Sequence, residues 1–216
     1  KSKTQSFIKT SFIHLDKEYE TLNFINSKYK FSNKRTLNPY SININTQFGT
    51  DLKKVDLTIH YNYSINKGKS IKIRGYLGFV NTDNRNYDLN MSGWSGINDY
   101  TFSNRFLGRS ETEGFFSQQI VANEGFIKHK TNITSDKFLA SMSVDFSLSK
   151  RFKLYAESGT NGSDLAYGLG VRIPLLRGGA TIYIPLFTEQ GFIKFNNMQF
   201  VRYSMNLNLS NFTLNF

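Results

Sequence analysis

The 216-residue sequence predicts an all-β fold, an antiparallel up-and-down transmembrane β-barrel of about 10–12 strands. First, apolar and polar residues alternate one by one over 40–48 and 55–65, which is the period of a strand with one apolar and one polar face. Second, each run has about the ten residues that a tilted strand needs to cross a bilayer. Third, the polar positions carry mostly Asn, Ser and Thr. Lipid outside and a hydrated lumen inside would satisfy all three observations.

Five strands are predicted in the first part of the chain, and the clearest alternation is in the third and fourth. Their ranges are 4–15, 18–32, 38–48, 54–66 and 70–80. Gly49–Leu52 has the length of a hairpin connection, and Asn66–Lys69 is a second tight turn. Turns this short join antiparallel neighbours.

Residues 81–113 interrupt the alternation and are rich in Asn, Asp, Gly and Ser. This stretch is predicted to be a long external loop, because membrane barrels keep long loops on the outer side and short turns on the other. Strand alternation resumes near Phe115, and Asn161–Asp164 is a strong turn signal. The later strands are predicted at 138–148, 152–159, 167–173, 180–187 and 201–209.

Residues 1–216 are expected to form a single barrel domain. The mean hydropathy of −0.41 does not oppose this, because half of each barrel strand faces water. No run approaches the roughly 20 apolar residues of a transmembrane helix. Cysteine is absent, so ladder hydrogen bonds and packing are expected to hold the fold. The chain begins at Lys1 without an initiator Met or signal segment, and we expect a processed protein or a piece of a longer one.

Basic residues outnumber acidic ones by 27 to 16, which gives a net charge of +11. They fall largely between the alternating runs, which would place them at strand ends beside lipid phosphates or, for any single one, in an ordinary solvated turn. The expected partners are therefore outer-membrane lipid and lipopolysaccharide, with the barrel assembly machinery acting during insertion. No RNA-recognition, helix-turn-helix or zinc-finger pattern accompanies the charge, so nucleic acid is not an expected partner.

Eight ionisable residues fall on the polar faces of the predicted strands and are expected to line the lumen. They are Asp56, His60, Lys72, Arg74, Asp145, Glu157, Arg172 and Arg202. Opposite charges should pair there, because an unpaired charge away from bulk water is costly. A barrel of this size holds little more than its own side chains, so a plugged interior is predicted rather than an open pore. The glycines of 168–170 lie within a strand and are expected to thin the wall or allow a bend.

The sequence carries no motif for catalysis, metal binding or a cofactor. Its histidines are isolated, and none lies in an H-E-x-x-H pattern. They are His14, His60 and His129. Two carboxylate pairs, Glu111 with Glu113 and Glu157 with Asp145, fit loop charges or lumen ion pairs better than an acid–base set. We therefore expect a non-catalytic chain without a cofactor.

A soluble β-sandwich or lipocalin-like barrel would also alternate, with its apolar face turned inward. Against it, the polar positions of 41–47 and 141–147 are mostly Ser and Asn, whereas a solvated face is normally rich in Lys, Glu and Thr. The chain also stops on Phe216, and many outer-membrane barrels end on an aromatic residue. Leu209 has an odd position and Phe212 an even one, so the two would point to opposite faces of a regular strand. A bulge or strand end is therefore expected between them.

Residues 99–128 read DYTFSNRFLGRSETEGFFSQQIVANEGFIK. The positions that carry a resemblance are Gly108, Arg109, Ser110, Glu111, Gly114, Phe116, Ser117, Gln118, Gln119, Glu124, Gly125 and Phe126. This pattern resembles the C-terminal barrel region of Bacteroidota cell-surface metallopeptidases of the aminopeptidase-N (gluzincin) class. Leu107 replaces the usual aromatic. The stretches 183–187 and 200–203 are similar too.

The resemblance implies an outer-membrane barrel that tethers or accompanies a peptidase domain. The zinc-binding and exopeptidase motifs of that family lie in an upstream soluble domain, so no catalytic residue is carried over to this chain. The resemblance also suggests that the long loop folds back into the barrel mouth, with Arg109 and Glu111 paired there.

The leading hypothesis is a non-catalytic barrel in the outer membrane of a Gram-negative cell, acting as anchor or scaffold for a surface, peptidase-like module. One alternative is a freestanding small barrel that transports peptides or sugars. A second is a soluble β-barrel binding module with a basic surface, and a third is an enzyme in its own right.

Overall fold

The computed structural model describes residues 3–17, 20–66, 69–82, 87–92, 118–120, 123–149, 151–175, 179–193 and 200–205. These residues form strands β1 (Thr4–Lys17), β2 (Glu20–Asn33), β3 (Tyr40–Gly49), β4 (Leu52–Asn66), β5 (Lys69–Thr82), β6 (Leu89–Asn90), β7 (Thr134–Ser135), β8 (Phe138–Ser147), β9 (Lys153–Thr160), β10 (Leu165–Leu175), β11 (Ala180–Thr188), β12 (Gly191–Phe192) and β13 (Arg202–Met205). Every strand predicted from the alternation overlaps one of them. The all-β, antiparallel prediction is confirmed.

Eleven of the strands form one antiparallel sheet in which chain neighbours are sheet neighbours. The order runs β1-β2-β3-β4-β5-β8-β9-β10-β11, and β12 and β13 both pair with the far edge of β11. Strands β6 and β7 pair with each other in a separate two-stranded sheet. Among the described residues β1 pairs only with β2, so the sheet is not closed.

The alternating strand directions give the sheet two distinct ends. Thr4 and Met205 lie at the same end, which we call the terminal end. The other end, which we call the loop end, is where β5 finishes at Thr82 and β8 starts at Phe138. The turn predicted at Asn161–Asp164 also lies there, and the Asn161 side chain accepts the amide of Asp164 at 2.7 Å.

The buried face of the sheet, here called the inner face, carries many polar side chains beside an apolar cluster near the loop end. On β8, Ser141, Ser143 and Asp145 are buried, whereas Met142 between them is 50% exposed. The opposite, outer face exposes large apolar side chains along the sheet: Phe12, Ile25, Ile44, Ile59, Tyr63, Leu77, Phe79, Leu154, Tyr167 and Leu169. An antiparallel sheet in water normally does the reverse, with the apolar face packed on a core.

The sheet is strongly curled around its inner face. One apolar cluster near the loop end joins Phe24 of β2, Leu139 of β8 and Ala166 of β10, and Leu15 of β1 packs against it. These strands lie far apart in the sheet order. The plug residues Leu89, Met91 and Ile127, described below, belong to the same cluster, so the sheet curves around them.

Between Thr82 and Phe138 the described chain lies off the main sheet and against its inner face. Two stretches, 87–92 and 123–135, are here called the plug. The amide of Ile127 donates to the Met91 carbonyl at 2.9 Å, and both side chains are fully buried. The predicted return of strand alternation near Phe115 is therefore wrong for 123–133. Most of the loop predicted at 81–113 lies outside the described residues.

Candidate functional site

The plug turns sharply at Glu124 and Phe126, which flank Gly125. Both flanking residues have left-handed backbones, with φ of 46° and 51°, a region that non-glycine residues enter at a cost. Arg74 on the inner face of β5 holds this turn. Its guanidinium donates to the Gly125 carbonyl at 2.9 Å and also to the Glu124 carbonyl. The charged donor thus stabilises a backbone shape that is unfavourable by itself.

Glu124 and Gly125 make further contacts with the sheet. The Glu124 carboxylate pairs with Lys54 of β4 at 2.6 Å and accepts the amide of Asn90. The Gly125 carbonyl also accepts the hydroxyl of Ser141 at 2.7 Å. A Cβ atom at Gly125 would lie 2.6 Å from the Met91 carbonyl, so the close approach requires glycine. Two residues of the family-like motif therefore attach the plug to the inner face.

A second attachment centres on Glu157 of β9, whose side chain has no exposed surface. Its carboxylate pairs with the Lys128 ammonium at 2.9 Å and accepts the Lys128 amide at 2.8 Å. It also lies 3.2 Å from Nδ1 of His129, and the other ring nitrogen of His129 lies 2.7 Å from Glu189. The plug is thus tied electrostatically to β9 and to the turn after β11.

Glycines on the inner face of β10 make room for this arrangement. A Cβ atom at Gly168 would lie 3.0 Å from Nδ1 of His129, and one at Gly170 would lie 2.7 Å from the Tyr155 hydroxyl. The pairing of β10 with β11 also shifts register between Leu169 and Gly170. The wall is therefore both thinned and bent here, as predicted.

All eight residues predicted to line the lumen lie on inner-face positions, but they do not form one network. Arg172 pairs with Asp145, and Asp56 accepts the Asn45 amide group at 2.9 Å. His60 and Lys72 are more exposed, because they border a cavity. Arg74, Glu157 and Arg202 are buried, and the first two of these bind the plug.

Four residues of the site were given no role in the sequence analysis, although His129 was named there as an isolated histidine. They are Lys54, Lys128, His129 and Glu189. Lys54 shares the parity of Asp56 and His60 on β4, so the alternation itself marked it. The other three lie outside the long strands, where alternation carries no information about facing.

The rest of the family-like motif is only partly described. Gly108, Arg109, Ser110, Glu111, Gly114 and Ser117 lie outside the described residues, so the proposed pairing of Arg109 with Glu111 remains a prediction. Gln119 forms an isolated parallel bridge to Tyr203, and the amide of Ile120 donates to the Tyr203 carbonyl at 2.8 Å. This part of the chain therefore meets the edge of β13. Gln118 is half-buried beside it.

A cavity of about 470 Å³ opens at the terminal end. Strands β2, β3, β4, β5, β8, β10 and β11 contribute lining residues, and so do Phe126 and Lys128 of the plug. The plug thus contributes to both regions, since Met91 and Ile127 belong to the apolar cluster near the loop end. Comparisons with protein-family models, curated proteins and solved structures find no match. The likeness to the gluzincin region therefore depends on the sequence motif alone.

No cluster of three or more His, Cys, Asp or Glu side chains suited to a metal ion occurs in the described part of the chain. The described ranges also contain no helix long and apolar enough to span a membrane. What the site does chemically is electrostatic: buried cations and carboxylates hold a folded segment against the inner face.

Replacing Arg74 by lysine should loosen the plug while keeping the charge. An ammonium group cannot reproduce the guanidinium's two-pronged contact with consecutive carbonyls. We expect amide hydrogen exchange over 123–129 to accelerate by an amount corresponding to about 1.5–3 kcal/mol of local protection. The matched control is Arg151→Lys, at an exposed turn position. Equal exchange in the two variants would show that Arg74 does not hold the turn.

Proposed function

We propose that this chain is an integral outer-membrane β-barrel that is non-catalytic and serves as an anchor or scaffold for a surface module. The observation that carries the proposal is the inversion of the two faces, with Ser143 and Asp145 buried and Leu77 and Phe79 exposed. Large contiguous apolar surfaces are rare on soluble monomers. Hydrocarbon lipid is the surroundings in which such a face is stable.

Closure of the sheet is part of this proposal. In the described ranges, strands β1–β5, β8–β11 and the edge shared by β12 and β13 occupy ten positions, and bacterial barrels have an even number of strands. The apolar cluster supports closure, because side chains of β1 and β10 pack with the same plug residues. A closed sheet would also remove the long unpaired edge of β1, and such edges promote aggregation.

The filled interior supports an anchor over a transporter. The plug crosses the inner face and is fastened by ion pairs at both Glu124 and Glu157. A membrane anchor needs a stable β-sheet but no open channel through its interior. The alternative of peptide or sugar transport would require this plug to move.

The direction of attachment follows from the topology. Long connections of bacterial barrels face outward and short turns face the periplasm. The long insertion between β5 and β8 leaves at the loop end, whereas Thr4 lies at the terminal end. A surface module would therefore be held through the insertion. Outer-membrane lipid, lipopolysaccharide and a peptidase domain are the partners proposed.

The test is membrane integration together with conductance of the full chain. We expect the expressed protein to resist washing from outer membranes, to require detergent for extraction, and to migrate faster on gels before boiling than after it. We also expect no sustained single-channel current in planar bilayers. Recovery of folded, monodisperse protein in a detergent-free fraction would contradict the membrane proposal. Large steady currents would instead favour transport.

A further inference from the structure

We infer that the cavity at the terminal end is a binding site for a small oxyanion that carries two or more negative charges. The inference goes beyond the anchor role and does not depend on membrane placement, because the cavity is built from the inner face and the plug alone.

The lining of the cavity is strongly cationic. Its basic side chains are Lys30, Lys34, Lys72, Arg74, Lys128 and Arg172, with His60 beside them. Asp145 is the single carboxylate among the described lining residues. This imbalance is local, and it is larger than the overall charge of the chain would produce on an arbitrary patch.

Part of this positive charge is already compensated by neighbouring groups. Lys128 pairs with Glu157, and Arg172 pairs with Asp145. The Arg74 guanidinium donates hydrogen bonds to carbonyl groups of the plug. Among the described residues no ion pair reaches the three remaining lysines. They are Lys30, Lys34 and Lys72. Three ammonium groups around one cavity repel each other, and a bound polyanion would relieve that repulsion.

The cavity also offers directional donors and a suitable size. Arg172 lines the cavity, and its buried Nε has no hydrogen-bond partner in the described part of the chain. His60 is opposite Arg74 in the pairing of β4 with β5. Arginine and lysine donors at short range are the usual means of binding phosphate and carboxylate groups. The volume of about 470 Å³ lies within the range of small-molecule sites. Pyrophosphate and citrate are therefore suitable probes of the two oxyanion chemistries.

The test is isothermal titration of the full chain, folded in detergent or in buffer as it proves to require, with pyrophosphate and with citrate. Sodium chloride at matched ionic strength is the comparison. We expect at least one oxyanion to bind, and the double variant Lys30→Gln with Lys72→Gln to weaken that binding roughly tenfold or more. The two probes distinguish a phosphate ligand from a polycarboxylate one.

The matched control is Lys53→Gln with Lys137→Gln, which removes the same charge at exposed positions outside the cavity. Equal weakening by both double variants, or the same response to chloride as to the probes, would overturn the inference. A second measurement needs no variant: bound oxyanion should protect Lys30 and Lys72, but not Lys53, from amine acylation read by mass spectrometry. Unchanged acylation would also overturn it.

Discussion

Glu157→Gln is expected to lower the free energy of unfolding by about 3–5 kcal/mol, the usual consequence of removing one member of a buried ion pair. The substitution keeps the shape of the side chain and one carbonyl acceptor. It removes the charge opposite the Lys128 ammonium, whose side chain is only 3% exposed. His129 keeps its contact with Glu189. The lost stability should therefore come mainly from leaving the Lys128 ammonium without its partner. Urea titration of the folded chain measures the change.

Two controls make this result specific. Asp136→Asn removes the same charge at an exposed position and should change stability by less than about 0.5 kcal/mol. The double variant Glu157→Gln with Lys128→Met removes both charges and should recover most of the loss, because no uncompensated cation remains. If Glu157→Gln unfolds no more easily than Asp136→Asn, the pair does not fasten the plug.

Leu77→Arg is expected to destabilise the protein in a bilayer by about 2–4 kcal/mol, the cost of a cation near the membrane midplane on a lipid-facing strand. Leu77 is near the middle of β5 and lies between Leu57 and Ala140 in the sheet, with 37% of its surface exposed. Equilibrium unfolding from lipid vesicles provides the measurement. The yield in washed outer membranes should fall in parallel.

The control is Leu37→Arg, the same substitution at a 67% exposed position in the connection between β2 and β3. There the arginine reaches water or headgroups, and a change of no more than about 1 kcal/mol is expected. In a water-soluble protein both leucines face solvent, and both substitutions would stay within about 0.5 kcal/mol. Equal effects at the two positions would therefore argue against lipid contact.

The wall of the molecule could be predicted from sequence because alternation reports facing directly. Along β4, Val55, Ile59 and Tyr63 share one parity, and all three are exposed. The same parity rule placed Asp145 and Arg172 on the inner face, where they pair. Alternation alone does not say which face is buried. The prediction that the polar face is the buried one depended on the Ser and Asn content of the polar positions.

The plug could not be predicted in the same way, because its contacts join residues distant in the chain. Lys54 and Glu124 are 70 positions apart, and Arg74 and Gly125 are 51 apart. No local period encodes such pairs. The family-like motif marked Glu124 and Gly125 as notable without indicating what they touch. The left-handed turn that directs their carbonyls toward Arg74 depends on tertiary contacts, so the local sequence does not predict it.

Most pairs of adjacent strands in the sheet are hairpins with short connections, and the exceptions are the β5–β8 and β11–β13 pairs. Hairpins close quickly because little chain entropy is lost in bringing their strands together. Two half-walls, β1–β5 and β8–β13, can therefore form early and independently. Pairing of β5 with β8 requires the ends of the 55-residue insertion between Thr82 and Phe138 to be brought together first. We therefore expect this pairing to form late in folding, in the same step in which the plug packs against the inner face.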